Sequence, residues 1–101
     1  MDIILDQLNG FEWDKGNESK ITSRHGVTPL ETEEAFFNFN LTYYDSLHSH
    51  TESRYHLLGQ TNDGRILFIV FTIRRQKIRV ISARAANEKE RRIYDQAKKN
   101  S

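Results

Sequence analysis

The sequence predicts an α+β fold: a short N-terminal strand, two helices, an antiparallel β-meander and a C-terminal helix. Two observations predict it. Three strand-like segments joined by tight turns occupy residues 54–84, and helix-capping residues open the segments on either side. A chain of 101 residues has room for one hydrophobic core, so we expect a single domain over residues 1–101.

The first quarter of the chain predicts a short strand followed by a helix. In residues 1–10, apolar side chains recur at helical spacing, which predicts a short turn of helix. The segment Phe11–Asp14 predicts a short strand, and Asp14 can cap a helix that runs to about Ser23. Gly26 stands where the C-terminus of a helix commonly needs a positive φ angle.

A second helix begins at Thr28-Pro29-Leu30-Glu31. Threonine as the N-cap, proline at the first helical position and glutamate three residues after the cap form a capping box. We expect this helix to run to about Phe37 and to pack Leu30, Phe36 or Phe37 inward. The sequence Asn38-Phe39-Asn40 then ends it.

Residues 41–84 predict the sheet. A short strand and a polar loop come first, over Leu41–Asp45 and Ser46–Ser53. Three longer strands follow, over Arg54–Thr61, Arg65–Arg74 and Lys77–Arg84. Hairpin turns at Asn62–Gly64 and Arg75-Gln76 join them.

A C-terminal helix follows the last strand. Asn87 and Glu90 have the spacing of a capping box, which predicts that the helix begins there. We expect its inner face to consist of Ile93, Tyr94 and Ala97.

The hairpin turns determine which residues lie opposite each other in the sheet. A three-residue turn pairs Arg54 with Thr72, and a two-residue turn pairs Thr72 with Arg79, so these three side chains share one face. We expect the other face to pack against the helices through Tyr55, Leu57, Leu67, Ile69, Phe71, Ile73, Ile78 and Val80. The face of Arg54 also receives His56, Arg74, Lys77, Leu58, Phe68, Val70 and Ile81. In this register Arg84 falls on the core side, at a strand end.

The charges are divided unevenly along the chain. Residues 1–51 carry three basic and nine acidic side chains, whereas residues 52–101 carry twelve basic and five acidic ones. A basic half of this kind, with cations clustered on a partly apolar sheet face, is typical of a surface that binds phosphates and bases. The alternative is an ordinary solvated surface.

The composition excludes several classes of function. The chain has no cysteine, which excludes disulfides, thiol chemistry and cysteine-based zinc sites. Its four histidines lack the spacing of metal ligands, so we expect no metal ion and no cofactor. No apolar segment is long enough for a membrane helix, and we expect a cytoplasmic protein without membrane contact.

Several motifs resemble the BrnT family of type II toxins over about residues 11–94. They are Phe11-Glu12-Trp13-Asp14, Arg24-His25-Gly26-Val27, Glu52-x-Arg54, Leu58-Gly59, Asp63-Gly64-Arg65, Thr72-x-Arg74, the run Ile78–Arg84, Asn87, Glu90-Arg91 and Tyr94. The run from Arg79 to Arg84, with Glu90-Arg91 and Tyr94 behind it, is the most specific part.

This resemblance implies a RelE-like fold and a small ribonuclease that arrests translation by cutting RNA. It also implies a BrnA-like antitoxin, which inactivates the toxin in a heteromeric complex and supplies the part that binds operator DNA.

Ribonuclease chemistry suggests roles for the candidate residues. A guanidinium group can hold a phosphate with two parallel hydrogen bonds, and we expect this role for Arg54, Arg74, Arg79 and Arg84. The acid or base is either His25 or His56, because histidine titrates near neutral pH, with Glu52, Glu90 and Tyr94 as alternatives. We expect further substrate contacts from His56, Lys77 and Tyr94.

The sequence therefore favours a metal-independent endoribonuclease toxin. The alternative is a non-catalytic module that binds RNA or a protein through the same basic face. A regulator that binds DNA on its own is less favoured, because no helix-turn-helix spacing is present.

Overall fold

The computed structural model describes residues 8–101, apart from the side chain of Ser23. It contains three helices and four strands, in the order α1 (Lys15–His25), α2 (Pro29–Phe37), β1 (Asn40–Tyr44), β2 (Arg54–Gln60), β3 (Ile66–Arg74), β4 (Lys77–Ala85) and α3 (Glu88–Lys99). The predicted α+β class is confirmed. The turn of helix predicted over residues 1–10 lies mostly outside the described residues. Among those described, no helix is both long and apolar enough to cross a membrane.

All three helices begin at capping boxes. The boxes are formed by Asp14 with Asn17, by Thr28 with Glu31 and by Asn87 with Glu90, so the predicted starts are confirmed. The first helix runs two residues beyond the predicted end and stops at Gly26, whose φ angle is 65°. A left-handed residue at this position is the usual end of a helix.

The four strands form one antiparallel sheet in the order β1-β2-β3-β4. The predicted pairs Arg54 with Thr72 and Thr72 with Arg79 are both present. The predicted N-terminal strand is reduced to one parallel bridge between Phe11 and Ile78.

A β-bulge in β4 corrects the prediction for Arg84. Phe71 pairs with Val80, but its neighbour Val70 pairs with Ser82, so Ile81 is an extra residue in β4. An extra residue moves the side chains beyond it to the other face of the sheet. Arg84 therefore lies opposite Phe68, away from the main core, and Ala83 is buried in its place.

The main core lies between the sheet and the helices α1 and α2. From the helices it receives Ile21, Val27, Ala35 and Phe36, and from the sheet Tyr55, Leu57, Leu67, Ile69, Phe71, Ile78, Val80 and Ala83. The inward stripe of α2 consists of Thr32, Ala35 and Phe36, at helical spacing. Leu30 and Phe37 lie off this stripe and are exposed, which corrects their predicted inward packing.

The third helix covers only one end of the opposite sheet face. Tyr94 is fully buried there, in a small second core with Leu58, Ile66 and Ala86. Ala97 is half-buried, but Ile93 is exposed, so only part of the predicted inner face packs inward. Within residues 8–101, no helix packs on the remainder of this sheet face, which holds the charged side chains described next.

Candidate functional site

We call the part of the sheet face that α3 leaves uncovered the open face. Three rows of side chains cross β2, β3 and β4 on this side of the sheet: Arg54, Thr72 and Arg79 in the first, His56, Val70 and Ser82 in the second, and Leu58, Phe68 and Arg84 in the third, where Leu58 lies under α3. Arg74 stands beyond the first row, two residues after Thr72. Successive rows are two residues apart along each strand, roughly 7 Å. His56 therefore lies between arginines on both sides.

A pocket of about 250 Å³ opens at the edge of the first row. Its charged lining consists of Lys20, Glu52, Arg54, Arg74 and Arg79, and we call it the basic pocket. Its four cations outnumber the Glu52 carboxylate of the lining and the Glu12 and Asp14 carboxylates that bind Arg79, so the pocket keeps a net positive charge that favours phosphate. The structure thus brings together three arginines that the sequence predicted to share a face.

Lys20 is a lining residue that sequence reasoning missed. It lies on α1, which packs along β4, and this packing brings its side chain to the pocket. The helical pattern of residues 15–25 marks Lys20 as polar but does not indicate which strand the helix lies beside. The one signal in the sequence is that Lys20 follows Asn17 by three residues, so both side chains lie on the same side of the helix. The Asn17 side chain donates a hydrogen bond to the Val80 carbonyl in β4.

Arg79 is held in place by two carboxylates. Its Nη1 donates to Asp14 at 2.8 Å and to Glu12 at 3.0 Å, and its side chain is largely buried. The hydrogen bond with Asp14 raises the pKa of Arg79, although burial opposes that shift, and it lowers the pKa of Asp14 in turn. Both carboxylates bind the same nitrogen, and within residues 8–101 Nε and Nη2 form no hydrogen bond.

Arg74 and Arg54 are less constrained. Arg74 donates to Glu52 through Nε at 3.2 Å and through Nη2 at 3.5 Å, in an exposed pair. The Arg54 side chain forms no hydrogen bond or ion pair within the described part of the chain. An unpaired guanidinium in the basic pocket can bind a phosphate without first releasing a carboxylate.

In the second row, His56 is bound by a buried carboxylate. Its Nε2 lies 2.9 Å from Oδ2 of Asp45, the residue that follows β1. The ring also meets Phe68 edge-on, with 5.1 Å between ring centroids. One third of the His56 side chain is exposed, so the ring remains accessible from the open face.

Arg84, at the end of the third row, is paired with Glu90 of α3. Two parallel hydrogen bonds of 2.8 and 3.0 Å join them, and the guanidinium lies 4.3 Å from the centre of the Phe68 ring. The bond from Arg84 lowers the pKa of Glu90, against the opposing effect of burial. A carboxylate with a lowered pKa is a weak base, so Glu90 is suited to holding Arg84 in place.

Two residues predicted for the site lie elsewhere. His25 is the last residue of α1, and its carbonyl oxygen accepts a hydrogen bond from Arg65. Arg65 directly precedes β3, whereas Arg74 of the basic pocket is the last residue of that strand. Nine strand residues separate the two arginines, roughly 30 Å. Tyr94 is fully buried, and its hydroxyl donates to the Phe39 carbonyl at 2.8 Å.

Lys77 lies at the margin of the open face. It pairs with Arg74 at the β3–β4 turn and is exposed, but it does not line the basic pocket.

The part of the chain that the structure describes shows no cluster of three or more His, Cys, Asp or Glu side chains able to hold a metal ion. The two histidines near Asp45 both bond to Oδ2 of that carboxylate. What the open face offers is a set of guanidinium groups around one accessible imidazole.

Comparisons with known proteins agree with the resemblance seen in the sequence. A family model described as "Ribonuclease toxin, BrnT, of type II toxin-antitoxin system" matches residues 13–90. The fold is similar to the crystal structure of the Brucella abortus ribonuclease toxin BrnT, with a TM-score of 0.60 and 18% sequence identity. That similarity covers 78% of this chain and 97% of the Brucella chain. A search of curated proteins found no match.

Proposed function

Because the chain belongs to the BrnT family, the ribonuclease toxins of type II toxin–antitoxin systems, we propose that its open face cleaves RNA without a metal ion. The observation that carries this proposal is the position of His56. It lies between the basic pocket on one side and the Arg84 row on the other, each one row away. Cleavage is promoted where cations that stabilise the reacting phosphate lie beside a group that can move a proton.

The arginines bind the RNA backbone and stabilise the reacting phosphate. Arg54 is the first contact, since its guanidinium is unpaired, and Arg74 and Arg79 add charge beside it in the basic pocket. Arg84 approaches from the third row, in the orientation that Glu90 gives it. Guanidinium groups held in this way stabilise the charge that develops on a pentavalent phosphate.

His56 acts as the general base. It takes the proton of a ribose 2′-hydroxyl, whose oxygen attacks the adjacent phosphorus while the bond from phosphorus to the 5′ oxygen breaks. The 5′ oxygen takes up a proton from water, and the products are a 2′,3′-cyclic phosphate and a free 5′-hydroxyl. His56 is a better candidate than Glu90 or Glu52, since each of these carboxylates is already bound to an arginine.

A BrnA-like antitoxin neutralises this activity in the cytoplasm, where the RNA substrate is found. We place its contact on the open face, so that it covers Arg54, Arg74 and Arg79 and excludes RNA. Rim charges speed such an association, and apolar side chains of the face, such as Phe68, add affinity. Operator DNA binding belongs to the antitoxin in this proposal.

The test is RNA cleavage by the purified chain in excess EDTA. Cleavage should persist in chelator and should fall on the order of 10²-fold or more in Arg54→Ala and Arg79→Ala, because each variant removes a cation from the reacting phosphate. Arg92→Ala is the matched control: it removes the same charge from an exposed pair with Glu88 on α3 and should cleave normally.

Two results would contradict the proposal. RNA binding without cleavage would favour the non-catalytic module. Activity lost in EDTA and restored by magnesium or zinc would show that the reaction needs a metal ion.

A further inference from the structure

Asp45 is the most enclosed carboxylate near the open face. It directly follows β1, and its side chain is only 7% exposed. Its backbone N–H donates to the Arg54 carbonyl at 2.8 Å, which continues the pairing of β1 with β2 by one residue. This pairing places the Asp45 side chain beside the first two rows, within reach of His56.

Every oxygen of this carboxylate has a partner. Oδ1 accepts the backbone N–H groups of Leu47 and His48, each at 3.1 Å. Oδ2 lies 2.9 Å from Nδ1 of His48 and 2.9 Å from Nε2 of His56. Asp45 therefore fixes the start of the β1–β2 loop with one oxygen and holds the His56 ring with the other.

We propose that Asp45 is a positioning residue, which holds His56 in the tautomer whose Nδ1 carries the free lone pair. This inference rests on the proposed function, in which His56 is the base. An ionised carboxylate can only accept hydrogen bonds, so the proton of the neutral ring must lie on Nε2. Nδ1 then keeps its lone pair, and the structure gives it no hydrogen-bond partner among residues 8–101.

The ionisation state of Asp45 supports this assignment. Burial alone would raise the pKa of Asp45, but the hydrogen bonds from His48 and His56 outweigh burial and lower it. The carboxylate is therefore charged at neutral pH. The edge of Phe68 on another side of the ring restricts its rotation, so the orientation is fixed at two points.

The first experiment reads the tautomer directly. In the ¹⁵N spectrum of the imidazole nitrogens at mildly alkaline pH, we expect His56 to carry its proton on Nε2. In Asp45→Asn, the amide oxygen can still accept the backbone N–H groups, but the amide nitrogen now donates to Nε2. The His56 proton should therefore move to Nδ1. His48→Ala removes the other bond to Oδ2 and should leave the His56 tautomer unchanged.

The second experiment measures cleavage. Asp45→Asn should lower kcat on the order of 10²-fold and leave KM for RNA within about twofold, because the wrong tautomer cannot take a proton through Nδ1. Adding Asp45→Asn to His56→Gln should lower kcat no further, since Asp45 acts through His56. If Asp45 had only a structural role, the double variant would have a lower kcat than His56→Gln alone.

Together, the two experiments distinguish a failure of this inference from a failure of the proposed function. A proton on Nδ1 of His56 in the unaltered chain overturns the positioning role, whatever the cleavage assay shows. A kcat for Asp45→Asn within about twofold of the unaltered chain also overturns it. Absence of cleavage by the unaltered chain, with the tautomer as expected, contradicts the proposed function while the geometric assignment of His56 stands.

Discussion

The four arginines of the open face differ in their partners. Arg54 is unpaired among the described residues, whereas the other three bind carboxylates: Arg74 with Glu52, Arg79 with Glu12 and Asp14, and Arg84 with Glu90. In the proposed function, an RNA phosphate would meet Arg54 without competition from a carboxylate. At Arg74, Arg79 and Arg84 it would share a guanidinium that a carboxylate already orients, and such fixed cations need little rearrangement during a reaction.

Tyr94→Phe tests whether Tyr94 has a structural role. The variant loses the hydrogen bond to the Phe39 carbonyl, which should lower the free energy of unfolding by about 1 kcal/mol, a fall in Tm of roughly 4–8 °C. RNA cleavage at a temperature where both proteins are folded should stay within about twofold. Lost cleavage with unchanged stability would instead restore the predicted substrate contact.

The Arg84–Glu90 pair should make stability depend on pH. Because Arg84 lowers the pKa of Glu90 in the folded state, the pair stabilises the fold above the ordinary carboxyl pKa of 4.5. This contribution is lost as the pH falls through the lowered value. Glu90→Gln should therefore cost about 1–2 kcal/mol at pH 7, and the difference from the unaltered chain should shrink below about pH 4.

Urea denaturation at both pH values measures this difference. Glu88→Gln is the control, since Glu88 pairs with Arg92 on the exposed surface of the same helix, and its effect should stay within about 0.5 kcal/mol. If the free energies of unfolding of Glu90→Gln and the unaltered chain differed by the same amount at pH 7 and at pH 3, the stabilising role assigned to the Arg84–Glu90 pair would be contradicted.

At the scale of the elements, α2 approaches β2 closely at Gly59. A Cβ atom added there would lie 2.3 Å from the backbone oxygen of Ala35, which cannot move without shifting the helix. Gly59→Ala should therefore destabilise the fold by about 1–3 kcal/mol in urea denaturation.

Gly16→Ala is the comparison for this variant. Its added Cβ would meet only the Asp14 side chain, at 3.1 Å, and alanine favours helix, so stability should change by less than about 1 kcal/mol. Equal effects of the two substitutions would show that α2 does not pack as closely as described.

Local signals in the sequence predicted most of the elements but not the bulge in β4. The capping residues Asp14, Thr28 and Asn87 satisfy the first backbone groups of each helix, so they mark helix starts without tertiary information. The hairpin turns likewise predicted the row of Arg54 and the pairing of His56 with Val70. The bulge at Ile81 has no comparable signal, because it depends on packing across the whole sheet, and Arg84 was therefore placed on the wrong face.

At the scale of the whole molecule, the open face exists because α3 packs against only one end of its side of the sheet. The amphipathic pattern of α3 predicts an apolar side but does not indicate which face of the sheet receives it. Once Tyr94 packs beside Leu58, the first two rows remain open, and the basic pocket forms between them and α1. The clustering of cations could be predicted from the strands, but its boundary with α3 could not.

The antitoxin contact should be measurable as stability and as inhibition. When the chain is expressed with the proposed antitoxin, the complex should melt well above the free chain, because a partner that binds only the folded state stabilises it. Purified complex should not cleave RNA. Hydrogen exchange should slow at the open face, whereas exchange at the His25 end should be unchanged. A complex that still cleaves RNA would contradict a contact on the open face.

The central claim is that RNA binds the open face with a phosphate beside His56. The most direct measurement is an amide and imidazole chemical-shift map of the chain with a 2′-O-methyl RNA, which lacks the attacking hydroxyl and cannot be cut. We predict the largest shifts at His56, at Ser82 and around Arg54 and Arg79, and no change at His25 or Arg65. Shifts confined to the His25 and Arg65 end of the sheet, with none on the open face, would contradict the account.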